Sequence, residues 1–257
     1  MKTRISGHGF YVPEKIVTNF DLEKIMDTND EWIRERSGIH ERHFVGNSGE
    51  GASDLGVNAA EKAIEKAGID KNEIDVIIVA TLSPDYFVPG IGTIIQKKMG
   101  LGQIPAFDLR QQCSGFVYGL EFADALIKSG KYKKILLIGT EVQSTGLNLT
   151  NEGRDTAVLF GDGAGAFILS AEEDGDSDII DSILHSDGKY FDYLWIESPS
   201  SIKPGRINAE DIAAGKSNPS MNGKAVFKHA VTKMPAVVEE ILQKNNISKE
   251  KVKIVIP

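Results

Sequence analysis

The sequence predicts an α/β fold of stacked layers, built twice. Three observations carry that prediction: apolar runs of strand length, helical segments alternating with them, and two distant stretches that match in register. Asp75–Thr81 (DVIIVAT) and Lys134–Thr140 (KILLIGT) are the clearest runs. Val, Ile and Leu without polar interruption are what a strand covered on both faces requires. Amphipathic segments between such runs place helices against the sheet. Residues 61–79 (EKAIEKAGIDKNEIDVIIV) match residues 239–257 (EEILQKNNISKEKVKIVIP) in the order helix, turn, apolar strand, with Ile69 opposite Ile247. The same displacement carries Ile5 onto Ile183, in the strand-like IIDSILHSDG. A repeat this long marks a duplicated domain rather than a solenoid unit, so the chain divides into residues 1–172 and 173–257.

Taken in order, Ile5–Val12 forms a first strand ending at Pro13, and Asn19 caps a helix over NFDLEKIMD. The charged stretch Asp27–Phe44 holds Trp32 on a helix capped by Thr28, or by Asn29 and Asp30. A helix over Ser53–Ala67 stops at Gly68, and Asp75–Thr81 follows as a buried strand. The loop SPDYFVPG leads to a helix over Gly92–Met99. Ala106–Leu109 reads as a short buried strand, Ser114–Lys128 as a helix, and Lys134–Thr140 as a further buried strand. Thr156–Leu159 and Ala164–Ala171 read as two strands joined by FGDGAG. Lys189–Gly223 is long, polar and broken by Pro and Gly, yet its Trp195, Ile196 and Ile202 suggest a segment that packs over a site. Val252–Pro257 (VKIVIP) is expected to be a buried strand. With the first copy closing near Ala171, the second is expected to close at about 349 by the repeat spacing, so that about a quarter of a longer protein lies outside this sequence.

The chain has 257 residues, 41% hydrophobic and 26% charged, which suits an ordinary globular protein with a sizeable core. Its single cysteine excludes a disulfide framework and fits a reducing compartment, so the protein is expected in the cytoplasm. No apolar run approaches the roughly 18 residues a membrane span needs, and MKTRISGHGFYV lacks the apolar core of a signal peptide. A net charge of −8 argues against a nucleic-acid partner. An acidic macromolecule can still dock on a local basic patch.

The lone cysteine, Cys113, falls between the Ala106–Leu109 strand and the following helix. Unpaired N–H groups and the positive helix end at such a turn favour a thiolate, and Gly115 admits a close neighbour. The competing reading is a small buried hydrophobe. FGDGAG (residues 160–165) is not a dinucleotide loop, because it leads into a strand and not a helix. It reads as a tight glycine turn between strands. His8, His40, His43, His185 and His229 show no metal-ligand spacing, and none declares itself as a base for Cys113.

The segments DTNDEWIRERSGIHERH, VIIVATLSPDYFVPG, AFDLRQQCSGFVYGL, LFGDGAGA and MNGKAVFKHAV, in this order and spacing, resemble the 3-oxoacyl-acyl-carrier-protein synthase III family of the thiolase superfamily. The resemblance covers the whole sequence and implies a thiolase-like duplicated α-β-α-β-α layered fold with an incomplete second copy. It makes Cys113 the nucleophile: an acyl-CoA acylates it, and malonyl-acyl carrier protein then decarboxylates and attacks the thioester. The Cys113 backbone N–H suits an oxyanion donor. By the same resemblance Trp32 stacks on the coenzyme A adenine, with Arg36 and Arg154 beside it. Met221, Gly223 and Phe227 line the pantetheine tunnel, and Lys228 belongs to the carrier-protein docking face. Phe87 and Val88 belong to the acyl pocket at a homodimer contact. Relatives often carry an aromatic where Val88 stands, and the smaller side chain implies a longer or branched primer. No cofactor or metal is implied beyond the coenzyme A thioester as substrate. The family's His-Gln-Ala-Asn motif follows a strand ending in Val-Pro or Ile-Pro, the position of Pro257, so this sequence is expected not to condense. The rival expectations are a related thiolase-fold synthase of secondary metabolism and a non-condensing acyl-CoA-binding fragment.

Overall fold

The computed structural model describes residues 1–256. Packing divides the chain into two units: residues 1–24, 29–145 and 160–180 form the first, and residues 25–28, 146–159 and 181 onward the second.

In the first unit the elements run β1 (Lys2–Tyr11), β2 (Lys15–Thr18), α1 (Asn19–Glu23), α2 (Asp30–Ser37), β3 (Glu41–Phe44), α3 (Ala52–Ala67), β4 (Val76–Ala80), α4 (Ile91–Lys98), β5 (Ala106–Leu109), α5 (Gly115–Lys128) and β6 (Lys134–Glu141). After α6 (Arg154–Ala157) of the second unit, β7 (Gly163–Glu172) completes it. Five strands make one mixed sheet in the order β1-β7-β6-β4-β5. Here β4 is parallel to β5 and β6, while β7 is antiparallel to both β1 and β6. Successive side chains of a strand face opposite ways, and the core obeys that period. Ile77, Val79, Leu136 and Ile138 pack with Leu55, Ala59 and Ala63 of α3 and Ile91 and Ile95 of α4. Val76, Ile78, Ile135 and Leu137 pack on the other face with Ala123 and Ile127 of α5. All five residues of β4 are buried, as the apolar run requires. Removing one such side chain, as in Ile77→Ala, costs roughly 2–5 kcal/mol.

Several expectations are corrected. Ala106–Leu109 is a strand but not a buried one, because β5 is the sheet edge and leaves Phe107 and Asp108 exposed. The cap of α1 is Thr18, which shares a capping box with Asp21, and Asn19 is instead buried with its amide on Asp30 and the Ile39 carbonyl. Thr156–Leu159 is no strand: the 3-10 turn Asn151–Gly153 runs into α6, and the Thr156 hydroxyl bonds back to the Gly153 carbonyl. FGDGAG therefore follows a helical turn, while it does lead into β7.

The second unit continues with β8 (Leu194–Trp195), α7 (Ala209–Ala213), β9 (Ser220–Met221) and α8 (Gly223–Lys244). Strands β8 and β9 pair antiparallel, so the polar stretch 189–223 is a built segment and not a free linker. Lys203 and Lys216 each bridge Glu197 and the buried Asp211 within it. The strand expected around Ile183 is absent among the described residues: 179–187 is irregular and is tied to α8 by side chains. Asp181 receives Lys244 and Asn245, and His185 meets Glu240 at 2.7 Å. Nor do residues 252–256 form a buried strand; Ile254 and Ile256 are exposed. A strand exists by its ladder, and 252–256 belongs to none of the described sheets. Pro257 lies outside the described residues.

Candidate active site

Strand β5 runs parallel to β4 with Leu109 opposite Ala80, and the Thr81 N–H continues the ladder to the Leu109 carbonyl. Beyond Leu109 the chain turns through Arg110 and Gln111 into a 3-10 turn, Gln112–Ser114, which runs into α5. Gln112 holds φ +45°, a left-handed conformation that costs a non-glycine residue roughly 1–2 kcal/mol. Strain of this kind collects at functional sites. It presents Cys113 on the surface, with its thiol exposed. The Cys113 N–H sits in the first turn of the helical run, where backbone donors have no intrahelical acceptor. Gly115 is buried against the end of β4, and a Cβ there would meet the Ala80 Cβ at 3.1 Å. The thiol thus stands beyond the carboxyl ends of two parallel strands, on the 3-10 turn that leads into a 14-residue helix.

The loop from Leu82 to Gly90 leaves the same strand end and carries Phe87 and Val88, both exposed. Its start is held by a carboxylate that sequence reasoning missed. Glu141, at the end of β6, accepts the Leu82 N–H at 2.9 Å and the Ser83 hydroxyl at 2.5 Å. Burial pushes the Glu141 carboxyl above its ordinary range, although these donors pull the other way. Asp162, the acid of FGDGAG, is buried and accepts the N–H groups of Val45, Gln143 and Ser144 at 2.7–2.8 Å. That motif is a backbone anchor. An acid directly ahead of the β7 run was the available signal, but its partners lie far away in sequence.

Trp32 and Arg36 are brought together on α2. Asn29 caps the helix at the Trp32 N–H, and the Arg36 guanidinium lies 4.6 Å from the centre of the indole. Arg154 belongs to the second unit, where it donates to the Asp27 carbonyl at 2.9 Å and pairs with the Asp27 carboxylate at 3.5 Å. Met221, on β9, lies over Gly223, and Asn222 between them caps α8 through the Ala225 N–H. Phe227 and Lys228 follow on the first turns of α8, both exposed. Phe227 opens an apolar groove of about 800 Å³ running along Val231, Met234 and Leu242. Described histidine contacts engage His8 with Lys66, His43 with the Pro13 carbonyl, His185 with Glu240, and His229 with Tyr190.

Comparison with known proteins follows this geometry. Residues 107–188, which begin on β5 and include Cys113, match the family described as 3-Oxoacyl-[acyl-carrier-protein (ACP)] synthase III. The chain is 46% identical over 250 residues to the beta-ketoacyl-[acyl-carrier-protein] synthase III of Sulfurimonas denitrificans, covering 97% of this chain and 74% of that one. It is 45% identical over 246 residues to the enzyme of the same name from Ehrlichia canis, with 96% and 73% covered. Among solved structures, the 3-oxoacyl-[acyl-carrier-protein] synthase III of Aquifex aeolicus superimposes with a TM-score of 0.87 at 38% identity, over 99% of this chain and 76% of that one.

Proposed function

Because the chain belongs to the 3-oxoacyl-[acyl-carrier-protein] synthase III family, we propose that Cys113 is its nucleophile and catalytic residue. The activity is acyl transfer in fatty acid biosynthesis on a thiolase-like fold. The Cys113 sulfur attacks the carbonyl of an acyl-CoA, the carbon–sulfur bond to coenzyme A breaks, and the coenzyme leaves as the thiol. Malonyl-acyl carrier protein then loses carbon dioxide, and its enolate carbon attacks the enzyme-bound thioester. The products are 3-oxoacyl-acyl carrier protein, carbon dioxide and the free cysteine. No cofactor is called for, since coenzyme A arrives as part of the substrate. The Cys113 N–H is the oxyanion donor, aimed where negative charge develops on the thioester oxygen.

One observation carries this reading: an exposed, solitary thiol on a strained turn at the carboxyl end of parallel strands, inside the segment that matches the family. Trp32 and Arg36 take the adenine and phosphates of coenzyme A, with Arg154 in the same role. Met221, Gly223 and Phe227 line the pantetheine path, and Lys228 meets the acidic carrier protein. Phe87 and Val88 close the acyl pocket of a partner subunit in a homodimer, with room at Val88 for a longer primer. Residues 1–172 are one thiolase-like half and residues 173–257 the start of a second, incomplete copy, and the enzyme works in the cytoplasm. Among the described residues no helix is long and apolar enough to cross a membrane. A synthase of secondary metabolism is the less favoured reading, given the names of relatives at 45% identity and above.

The test is intact-mass analysis after incubation with acetyl-CoA, followed by peptide mapping. A single acetyl adduct on Cys113, absent from Cys113→Ala, is the expected result. Wild type that gains no adduct, or a variant that keeps it, overturns the assignment.

A further inference from the structure

The Leu82–Gly90 loop has an unusual support. Tyr86, Phe87 and Val88 at its tip are 65%, 69% and 75% exposed, so apolar packing contributes little to holding it. Carboxylates hold it instead. Glu141 takes the Leu82 N–H and the Ser83 hydroxyl where the loop begins. Asp85, within the loop, reaches the first turn of α3 and accepts the Ser53 N–H at 2.9 Å and the Ser53 hydroxyl. Asp108 of β5 accepts the Ile91 and Gly92 N–H groups at 2.7 and 2.8 Å, where the loop enters α4.

Capping alone does not account for this arrangement. The N-cap residues of α3 and α4 are Gly51 and Gly90, which have no side chain to offer. A Ser, Thr or Asp at either position would cap its helix locally. Each helix instead takes an acid from a distant segment, and the glycine makes the room. A Cβ on Gly51 would meet the Asp85 carboxylate at 2.6 Å, and one on Gly90 would meet that of Asp108 at 2.9 Å. Remote caps tie the loop to the two helices and to β5, the strand that leads to Cys113. Charge-assisted bonds to backbone donors are short and directional, so they define a position as well as an energy.

We infer that Asp85, Asp108 and Glu141 are positioning residues that set acyl-chain selectivity by fixing the Phe87–Val88 tip, without touching the acyl chain themselves. The inference rests on the reading of Phe87 and Val88 as acyl-pocket residues. Displacing a wall by about an ångström changes reactivity by an order of magnitude or more.

The test compares the rates at which Cys113 is acylated by acetyl-CoA and by octanoyl-CoA in wild type, Asp85→Ala, Gly51→Ala and Asp85→Asn. Gly51→Ala displaces the clamp while leaving its acid in place. The octanoyl-to-acetyl ratio is expected to move by about tenfold or more in Asp85→Ala and Gly51→Ala. Asp85→Asn keeps an acceptor for the Ser53 N–H and is expected to stay within about threefold of wild type. A purely structural clamp would lower the melting temperature and both rates together with the ratio unchanged, and that result overturns the inference. Methyl and octyl methanethiosulfonate provide a parallel pair, because they modify the only cysteine without any enzymatic step. If acyl-CoA fails to modify wild type, the functional reading fails while the octyl-to-methyl ratio still judges the clamp: a shift in the two variants supports it and an unchanged ratio refutes it.

Discussion

Trp32 shows how much a residue's type reveals and where it stops. The family resemblance, and not the residue types, singled out the indole and Arg36, which as positions four apart share a helix face. The structure stacks them at 4.6 Å, worth about 0.5–1 kcal/mol at an exposed site. A flat ring held by a cation is a surface on which a purine can stack, with the guanidinium left for phosphate. Trp32→Ala is therefore expected to raise the KM for acetyl-CoA about tenfold while the saturating rate of Cys113 acylation holds, the pattern of lost uniform binding. An unchanged KM would return Trp32 to the helix face. Arg154 enters with a handicap, since its guanidinium already serves Asp27. The acids that organise the loop, Asp85 and Glu141, could not be read from sequence, because their partners Ser53 and Leu82 lie 32 and 59 residues away.

At the scale of elements, the two matched stretches share local backbone detail. Gly68 ends α3 at φ +64°, and Asn246, its match by position, follows α8 at φ +53°. The 3-10 turn Lys71–Glu73 recurs as Lys249–Lys251, at the same displacement of 178 residues that aligns Ile69 with Ile247. Helix stops and turns are local, so the sequence carries them. Strands are not local. Val76–Ala80 has neighbours on both sides, whereas residues 252–256, with a similar composition, have no ladder and stay irregular. The 179–187 segment likewise depends on side-chain ties to α8. Hydrogen bonds from Lys244 and Asn245 hold the Asp181 carboxyl down to about 2. A depressed folded-state pKa contributes stability above the ordinary Asp range, and that stability is lost as pH falls from about 4 toward 2. Amide exchange in the last turn of α8 is thus expected to quicken across that window in wild type. Asp181→Asn should exchange faster at neutral pH and lose the pH step; a step that persists would assign it to another acid.

For the molecule as a whole, the sheet and its two faces were readable because β4 and β6 are buried on both sides, and burial is written in composition. The edge strand β5 was misread as buried, since four residues of mixed character cannot declare how many neighbours they have. What composition conceals is which apolar surface waits for a partner. Tyr86, Phe87 and Val88 form a run of exposed apolar side chains on a loop fixed by three acids, and a soluble surface rarely presents such a projection without an occupant. In the proposed homodimer a second copy would meet this demand through a two-fold contact, each tip entering its partner and the same patch serving both. Phe87→Glu places a charge where the contact would be desolvated, and the penalty counts twice in a symmetric dimer. The wild type is expected to sediment as a dimer at micromolar concentration and the variant as a folded monomer with an unchanged melting profile below the dimer's own transition. A variant that remains dimeric would move the interface elsewhere, and a monomeric wild type would leave the Phe87–Val88 tip to act within its own subunit.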